Sequence, residues 1–347
     1  MKMNPLIEGI SSKEHLIQMI ERFKDMKVLI IGDVMMDSYL WGQVDRISPE
    51  APVPVVALRT RENRLGGAAN VALNIQSLGA TPLLCSVIGN DTKGEQLLQL
   101  LEKQNMVSEG IFRSDKRLTT VKFRIMGNNA QLLRVDEESE HNLDSEEFFQ
   151  LFQRIEAQIE ERKVDVVIFE DYDKGVISPE LIEKVVSLAN KRRIPVVVDP
   201  KKKNFWSYHH VTLFKPNLKE LREGLKLEEE LRTIEKIDEA AGLLHQKLGA
   251  EMILATLSDK GIYYRRQSQG QVVLHGHYPA QLRKISDVSG AGDTVVSVAA
   301  LSLAAGMPLQ LIAWLANLAG GIVCEYAGVV PIDKQQLLSE ASARIVQ

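Results

Sequence analysis

The chain has 347 residues, of which 45% are hydrophobic and 25% charged, so it can form a sizeable core and disorder is excluded as its main state. Its 42 basic and 46 acidic residues give a net charge of −4, which argues against a nucleic-acid-binding surface. Two cysteines, Cys85 and Cys324, are too few for a disulfide framework or a zinc site, so we expect a reducing cytoplasm.

Apolar runs and helical patterns alternate along most of the chain. An amphipathic helix is predicted over residues 11–24, and the apolar run KVLIIGD at 27–33 predicts a buried parallel strand. Further helices are predicted over 67–78, 94–103, 145–162 and 179–191, and from 217 and 234 onwards; further strands are predicted over 82–88, 164–170, 195–199, 211–214 and 251–256. This alternation predicts an α/β protein whose largely parallel sheet has helices on both faces.

Two segments interrupt this alternation. Residues 39–63 and 111–136 are rich in β-branched, aromatic and charged residues and have little helical period. Within the second, 119–125 and 131–136 alternate as strands do, with a predicted turn at 127–129. We therefore expect both segments to form a small, half-exposed sheet beside the main one.

Residues 294–324 contain no charged side chain and are long enough to suggest a membrane span. Gly306 and Pro308 interrupt this stretch, so two buried helices joined by a tight turn are the better prediction. The N-terminal residues carry charges throughout and have no long apolar region, which argues against a secretory signal. We expect neither a membrane nor a nucleic acid as a partner.

The segment SDVSGAGDT, residues 286–294, comes just before a long apolar helix that starts near Ala291. Small residues at Gly290, Ala291 and Gly292 let a ligand approach the backbone, and amides at a helix N-terminus favour an anion. Asp293 has two interpretations. It accepts a proton from a nucleophilic hydroxyl, or it complements the helix dipole as any first-turn acidic residue does.

Two further clusters follow strands or open helices. Gly66 and Gly67 precede a helix whose first turn carries Asn70, an amide that suits a sugar hydroxyl or is simply solvated. Asp33 and Asp37 follow the first strand, where open α/β sheets place ligands. These two carboxylates hold a polyol or cap a turn, and the local sequence leaves both interpretations open.

Other polar residues fall at the same predicted edge. Asn217 and Glu220 in KPNLKEL have the spacing of a capping box, and they also suit phosphate and magnesium-bound water. Asp171 and Lys174 follow one strand, and Lys201 follows another. Lys122 and Arg134 lie in the second interrupting segment, where each meets a phosphate or is solvated.

Taken in order, the motifs GGAAN, DPK, PNLKE and SGAGD resemble those of the ribokinase (PfkB) carbohydrate kinase family. The resemblance covers residues 27–332. Residues 32–56, which include RISPEAPVPVV, and the later DYDKG resemble the subgroup that phosphorylates D-glycero-β-D-manno-heptose 7-phosphate in ADP-heptose (lipopolysaccharide core precursor) synthesis. This implies ATP-dependent transfer to the anomeric O1, which gives the 1,7-bisphosphate.

The family further implies one ribokinase-like domain over 1–347, with a doubly wound, mostly parallel sheet and a small β-sheet lid formed by 39–63 and 111–136. The lid often pairs between subunits, so a homodimer is expected. ATP and Mg²⁺ are implied, and a monovalent cation such as K⁺ near Asp287 is left open. We expect a sugar phosphate as the small-molecule partner.

By motif matching, each family role falls on residues of this chain. Asp293 is the expected general base, with Gly290, Ala291 and Gly292 as the anion hole. Asn217 and Glu220 serve the nucleotide phosphates and, through water, the metal, while Thr256, Ser258 and Gly261 run past the nucleotide. Asp33, Asp37, Gly66, Gly67, Asn70 and Asp171 are expected to contact the sugar, and Lys122, Arg134, Lys174 and Lys201 are candidates for its distal phosphate.

The chain departs from its relatives at two positions. Ser289 replaces the usual threonine before GAGD, and Glu170 replaces the serine of many subgroup members. No H-x-G-H motif occurs, so we expect no C-terminal nucleotidyltransferase domain. Another sugar or sugar-phosphate kinase, such as a fructose 6-phosphate or adenosine-type enzyme, and a catalytically silent sugar-binding regulator remain alternatives. A dehydrogenase is disfavoured because no G-x-G-x-x-G follows the first strand.

Overall fold

The computed structural model describes residues 12–128, 130–268 and 270–345. The strands are β1 (Lys27–Gly32), β2 (Val34–Ile47), β3 (Pro54–Gly67), β4 (Thr81–Gly89), β5 (Ile111–Ser114), β6 (Val121–Gly127), β7 (Ala130–Glu137), β8 (Val166–Glu170), β9 (Val196–Asp199), β10 (Leu213–Phe214), β11 (Met252–Thr256), β12 (Ile262–Ser268) and β13 (Gln271–Tyr278). The helices are α1 (Lys13–Glu21), α2 (Ala68–Ser77), α3 (Thr92–Lys103), α4 (Ser145–Glu161), α5 (Pro179–Arg192), α6 (Leu218–Gly224), α7 (Ile234–Leu248), α8 (Ala291–Ala304), α9 (Leu309–Val323) and α10 (Lys334–Ile345). Ser11 of the predicted first helix and Asn129 of the predicted turn lie outside the described residues.

Nine strands form the large sheet in the order β13-β12-β11-β10-β9-β8-β1-β4-β5. The strands from β5 to β11 are parallel to their neighbours, and β12 and β13 are antiparallel at one edge. The chain starts at β1, adds β4 and β5 on one side, and then adds β8 to β11 on the other. The sheet is therefore doubly wound, which confirms the predicted fold class, and its strand order reverses at β1, where such sheets bind ligands.

Strand β1 shows why the central run is apolar at every position. Val28 and Ile30 pack in one core with residues of α1, α2, α8 and α9. Leu29 and Ile31 face the other side, where they pack with residues of α4, α5 and α7. Because successive side chains of a strand point to opposite faces, a sheet covered on both faces needs a continuous hydrophobic run.

The uncharged stretch 294–324 forms the two packed helices α8 and α9, with the interruption at Gly306 and Pro308 as predicted. Both helices are buried on most of their surface because they lie in the core beneath the large sheet. Across the described ranges of the chain, no helix is both long and apolar enough to cross a bilayer.

The small sheet contains four strands in the order β3-β2-β6-β7. Its first half is longer than the predicted segment 39–63, since β2 begins at Val34 and β3 ends at Gly67. The predicted segment 111–136 is divided between the two sheets. Strand β5 pairs in parallel with β4 at the edge of the large sheet, and only β6 and β7 join the small one.

Candidate active site

The carboxyl ends of the parallel strands bring polar residues of separate motifs to one edge of the large sheet. These residues are Asp33 after β1, Glu170 at the end of β8, Asp199 at the end of β9, Lys215 after β10 and Thr256 at the end of β11. Helix α8 begins at the same edge, since a Cβ atom added at Gly292 would lie 3.6 Å from Asp199 Oδ2 and 3.9 Å from Lys215 Nζ. The fold thus gathers distant segments into one cleft.

Asp293, in the first turn of α8, is buried and its carboxylate is held at both oxygens. Asn70 Nδ2 donates to Oδ2 at 2.6 Å, and the Tyr172 hydroxyl donates to Oδ1 at 2.9 Å. Burial raises the pKa of Asp293 to about 6, although the two hydrogen bonds oppose this rise. A carboxyl group that titrates near neutrality suits a general base. Dipole complementation alone explains neither the burial nor the two donors from other elements.

The first turn of α8 offers backbone amides to an anion. Gly290 precedes the helix with φ of 79°, where a side chain is disfavoured, and a Cβ there would lie 3.0 Å from Asn70 Nδ2. Within the described ranges, the amides of Gly292 and Asp293 have no partner, whereas Ala291 N–H donates to Val288 O at 3.3 Å. The anion hole predicted at Gly290, Ala291 and Gly292 stays a prediction, and the Asp293 amide is a further candidate donor.

Helix α2 carries Asn70 into the core of the site. Asn70 is fully buried, so the solvated alternative is wrong. Asn74, one turn later, accepts the Thr294 hydroxyl at 2.9 Å and so fixes α2 against α8. Gly66 and Gly67 end β3 immediately before α2, and a Cβ at Gly66 would lie 2.4 Å from Asp37 Oδ2. Gly66 thus permits the close approach of β3 to the Asp37 carboxylate, whereas a Cβ at Gly67 would lie 2.4 Å from the Asp33 carbonyl oxygen.

The structure gives Asp33 a role that the sequence analysis did not predict. Its carboxylate accepts the backbone amides of Tyr172 at 2.8 Å, Lys174 at 3.1 Å and Val176 at 3.1 Å. Burial and the nearby Asp171 raise the pKa of Asp33 to about 6, against the effect of these amides. With both oxygens engaged, Asp33 organises the loop after β8, and its predicted sugar contact stays a prediction.

Asp171 and Lys174 are also occupied by the protein. Asp171 Oδ2 accepts the Tyr208 hydroxyl at 2.7 Å and Asn204 Nδ2 at 3.0 Å, so this carboxylate is turned into the core. Lys174 Nζ contacts Glu138 at 2.7 Å and Glu140 at 3.1 Å. The predicted sugar contact of Asp171 and phosphate contact of Lys174 stay predictions, and each would require these contacts to change.

Tyr172, between these two residues, is the group that the sequence analysis missed. Its hydroxyl reaches Asp293, and its ring lies beneath two ammonium groups, Lys122 Nζ at 5.0 Å and Lys201 Nζ at 5.3 Å from the ring centroid. The available clue was its place in EDYDKG immediately after a strand. The sequence around it does not show that this hydroxyl reaches Asp293 on another element.

On the β9 and β10 side, lysines and carboxylates pair at the cleft. Lys215 Nζ lies 2.9 Å from Asp199 Oδ2, and Lys201 Nζ lies 2.5 Å from Glu220 Oε1. Asn217 and Glu220 form the capping box of α6, each side chain accepting the other's backbone amide. The capping interpretation is therefore realised, and it places Asn217 and Glu220 at the same edge as Lys201.

The segment after β11 lies next to α6. Thr256 N–H donates to Pro216 O at 3.0 Å, which brings β11 against the start of KPNLKEL. Ser258 begins a short exposed 3₁₀ turn, and Gly261 follows it. Thr256 thus lies next to Asn217, and the nucleotide contacts of Thr256, Ser258 and Gly261 stay a prediction.

Glu170 is an ionisable group of the cleft that has no hydrogen-bond partner among the described residues. It is completely buried. Burial, together with the negative charges of Asp199 and Asp293, raises the pKa of Glu170 well above its ordinary value. A serine at this position would remove that buried carboxyl.

The small sheet covers the cleft with one polar face. Asp37 accepts two hydrogen bonds from Arg124, at 3.1 Å from Nε and 2.7 Å from Nη2. In the sheet register, Asp37 lies opposite Lys122 and Arg124 lies opposite Arg134. These cations therefore share one face of the small sheet. Lys122 is half-buried with no ion-pair partner among the described residues, whereas Arg134 is exposed and pairs with Asp136 at 2.9 Å.

Magnesium can be tested against the residues at this edge. In the described part of the chain, no three His, Cys, Asp or Glu side chains are arranged to hold a metal ion. Mg²⁺ in phosphoryl-transfer sites is bound largely by substrate phosphates, water and one or two carboxylates. Glu220 and Asp199 supply such carboxylates, so this edge fits a metal that arrives with a nucleotide, although Lys201 now contacts Glu220.

Sequence comparison assigns the chain to a family. Residues 25–335 match the pfkB family of carbohydrate kinases. The chain belongs to this family. A protein named bifunctional protein HldE from Syntrophotalea carbinolica is 37% identical over 322 residues, which cover 92% of this chain and 63% of the relative. A protein of the same name from Helicobacter pylori is 39% identical over 297 residues, which cover 86% of this chain and 62% of the relative. The chain thus spans less than two thirds of the length of these relatives.

Solved structures of pfkB-type kinases share the fold. Phosphofructokinase-2 from Escherichia coli, in complex with potassium, superposes with a TM-score of 0.75 at 19% identity, over 93% of this chain and 99% of its own. Ribokinase from Arabidopsis thaliana, complexed with ribose and ATP, superposes with a TM-score of 0.69 at 17% identity. The match covers 90% of this chain and 98% of the ribokinase. The predicted family and enzyme class are confirmed: the protein is a carbohydrate kinase with a ribokinase-like fold.

Proposed function

We propose that this kinase transfers the γ-phosphoryl group of ATP to O1 of D-glycero-β-D-manno-heptose 7-phosphate, a step of ADP-heptose synthesis. The observation that carries phosphoryl transfer is the buried Asp293 carboxylate beside the unpaired amides of Gly292 and Asp293. The choice of heptose is supported by the subgroup motif at residues 32–56 and by the relatives named HldE. The alternative is another sugar or sugar phosphate.

In this mechanism Asp293 accepts the proton from the attacking O1 hydroxyl. The free amides at the N-terminus of α8, together with Lys215, stabilise the negative charge on the transferred phosphoryl group. Asn70 holds the base in position through its 2.6 Å hydrogen bond. The small sheet excludes water when it closes over the sugar, which limits hydrolysis of ATP.

ATP is placed along α6 and the segment after β11, past Asn217, Thr256, Ser258 and Gly261. Glu220 and Asp199 would hold Mg²⁺, Glu220 through water, and the ion would neutralise charge on the phosphates. The proposal also includes a monovalent cation such as K⁺ near Asp287. The solved E. coli phosphofructokinase-2 complex with potassium supports this choice.

Among the four predicted cations, Lys122 best fits the sugar's distal phosphate. Lys174 and Lys201 are paired with carboxylates, and Arg134 is exposed beside Asp136. Lys122 lies over the ring of Tyr172, whose hydroxyl reaches Asp293. A phosphosugar that spans this tyrosine would therefore reach both Lys122 and the base.

The same proposal includes a cytoplasmic enzyme that forms a homodimer through the small sheet. Cys85 and Cys324 are both free and buried, as expected in a reducing compartment. The dimer is supported by exposed apolar residues on the lid, such as Leu133 and Val135.

A substrate panel tests the proposed function. ADP release should be measured with heptose 7-phosphate, fructose 6-phosphate, ribose and adenosine under identical conditions, and the heptose product analysed by ³¹P NMR. We expect the highest kcat/KM for the heptose and a new anomeric phosphate resonance. A higher kcat/KM for any other acceptor would replace the heptose assignment, and no turnover with any acceptor would favour the silent regulator.

A further inference from the structure

The loop after β8 connects two carboxylates with different surroundings. The backbone amides of Tyr172, Lys174 and Val176 in this loop donate to the Asp33 carboxylate. The side chain of Tyr172 in the same loop donates its hydroxyl hydrogen bond to Asp293 Oδ1 at 2.9 Å. The position of the tyrosine relative to the base is thus fixed from the end of β1, at the centre of the sheet.

The hydroxyl of Tyr172 acts only as a donor here. Burial and the nearby carboxylates of Asp293 and Glu170 raise the pKa of Tyr172 well above its ordinary value, so the phenol keeps its proton. Asn70 occupies the other oxygen of Asp293. With one donor on each oxygen, the carboxylate is prevented from rotating about its Cβ–Cγ bond.

We propose that Tyr172 is a positioning residue for the base, that its hydroxyl orients Asp293 and tunes its basicity, and that Asp33 holds Tyr172 in place through the loop. This inference rests on the proposed role of Asp293 but not on the identity of the sugar. Tyr172 need not touch the reacting atoms, since it acts through Asp293.

Other groups also face Asp293, and the test must separate them from Tyr172. Desolvation raises its pKa, Asp199 adds to the rise, and Lys215 lowers it. Glu170 carries the remaining carboxyl that interacts with Asp293. None of these groups is altered when Tyr172 is replaced by phenylalanine, which removes the hydroxyl and keeps the ring beneath Lys122 and Lys201.

The chain offers a matched control in Tyr208. Its hydroxyl also donates to a buried carboxylate, Asp171 Oδ2 at 2.7 Å, at the same edge of the sheet but away from Asp293. Tyr208→Phe therefore removes a comparable hydrogen bond from the same loop. If Tyr172→Phe and Tyr208→Phe lose similar stability, that shared loss comes from removing a buried hydrogen bond. It does not come from a change at Asp293.

The experiment measures kcat/KM against pH for the wild type, Tyr172→Phe and Tyr208→Phe with the best acceptor of the substrate panel. We expect Tyr172→Phe to lower kcat by about 10- to 100-fold, the range for losing a hydrogen bond to a charged group, with both KM values little changed. We also expect its acid limb to move up by about one pH unit, because a donor that stabilised the carboxylate is gone. Tyr208→Phe should leave the limb in place.

A second readout is independent of turnover. The ¹³C carboxyl resonance of Asp293, assigned by its absence in Asp293→Asn, should titrate at higher pH in Tyr172→Phe than in the wild type. An unchanged titration would overturn the inference, as would a loss of activity as complete as that of Asp293→Asn, which would make Tyr172 catalytic. A resonance that moves while the kinetic limb stays would instead refute Asp293 as the base, and with it the proposed mechanism.

Discussion

Asp293 is the residue at which the proposed chemistry is most directly tested. Asparagine keeps the size of the side chain and can accept from Tyr172, but it cannot take a proton at neutral pH. We expect Asp293→Asn to fold normally and to lose about 10²- to 10⁴-fold in turnover, the usual contribution of a placed base. The wild-type kcat/KM should fall as the pH drops through about 6, where Asp293 becomes protonated.

Asp165→Asn is the control for this variant. Asp165 accepts the amide of Lys27 at 2.8 Å at the opposite end of β1, far along the sheet from the cleft. It should retain near-normal turnover, measured by ADP release alongside circular dichroism. If Asp293→Asn were as active as Asp165→Asn, Asp293 would lose its assigned role.

Glu170 makes stability depend on pH. Because its folded-state pKa is raised from 4.5, its stabilising contribution is present below about pH 4.5 and is lost as the pH rises through the folded value. Glu170→Gln removes the ionisation. We expect its free energy of unfolding to exceed that of the wild type by a margin that grows as the pH rises above 4.5.

Urea unfolding at several pH values measures this margin. Glu147→Gln is the comparison, since Glu147 is also buried but accepts the Ser114 hydroxyl and the Asp144 amide. Its difference from the wild type measures the effect of losing a buried carboxyl that is hydrogen-bonded, which Glu170 is not. A constant difference between Glu170→Gln and the wild type across the range would mean that Glu170 remains ionised in the fold.

Lys122 is the residue that should distinguish a phosphosugar from a neutral sugar. Lys122→Met keeps much of the side-chain length but removes the charge, so it should raise KM for the phosphosugar at least about tenfold and leave KM for ATP within about twofold. Lys247→Met is the matched control, because Lys247 Nζ also lies over an aromatic ring, 4.8 Å from the Trp206 centroid, and belongs to α7 outside the small sheet. Equal effects on both substrates would indicate a folding defect.

At the scale of elements, much of the fold could be predicted because it depends on local pattern. The apolar run of β1, the interruption at Gly306 and the alternation of β6 each have a period that specifies the element. Strand β5 was assigned to the wrong sheet because four residues are too few to show a pattern that identifies their partner strand. Which strands pair depends on the tertiary structure. Strand β5 pairs with β4, where Ile111 lies opposite Ser86 and is buried.

The site was predicted in its outline and not in its hydrogen bonds. Strand ends and glycine motifs show which residues reach the cleft, and Asn70 and Asp293 do meet there. Sequence cannot show which way a carboxylate turns once it arrives. Asp33 accepts backbone amides and Asp171 accepts the Tyr208 hydroxyl, so both carboxylates support the loop that carries Tyr172.

The start of α8 provides a test at the element scale. Gly290 and Gly306 flank the helix with similar positive φ values, 79° and 76°. A Cβ at Gly306 would meet nothing within 4 Å, whereas a Cβ at Gly290 would approach Asn70 Nδ2 and Val329. Each alanine variant should lose about 1 kcal/mol from backbone strain. Only Gly290→Ala should also lower kcat, because it displaces Asn70 from Asp293.

Thermal unfolding and steady-state kinetics separate these two effects. Both variants should melt a few degrees below the wild type, with Gly306→Ala fully active after correction for folded protein. If Gly306→Ala lost as much kcat as Gly290→Ala, the effect would come from the stability of α8. The geometry of the anion site would then not be responsible.

At the scale of the whole molecule, the large sheet is covered by helices on both faces while the small sheet is not. One face of the small sheet carries Lys122 and Arg124 above the cleft. The register places Leu133 and Val135 on the opposite face, where they are 58% and 47% exposed. An apolar sheet face of this kind is stabilised when a second copy covers it through a two-fold axis.

The dimer is tested by placing charge on that face. The double variant Leu133→Glu with Val135→Glu should be monomeric by size-exclusion chromatography with light scattering, because burying two carboxylates against a copy of the same face is unfavourable. Val272→Glu with Val273→Glu, on exposed positions of β13, should remain dimeric like the wild type. A wild type that is monomeric at micromolar concentration, or a lid variant that still dimerises, would exclude this interface. If the interface is correct, loss of the dimer should also raise KM for the sugar phosphate, because the lid that carries Lys122 would no longer be held by its copy.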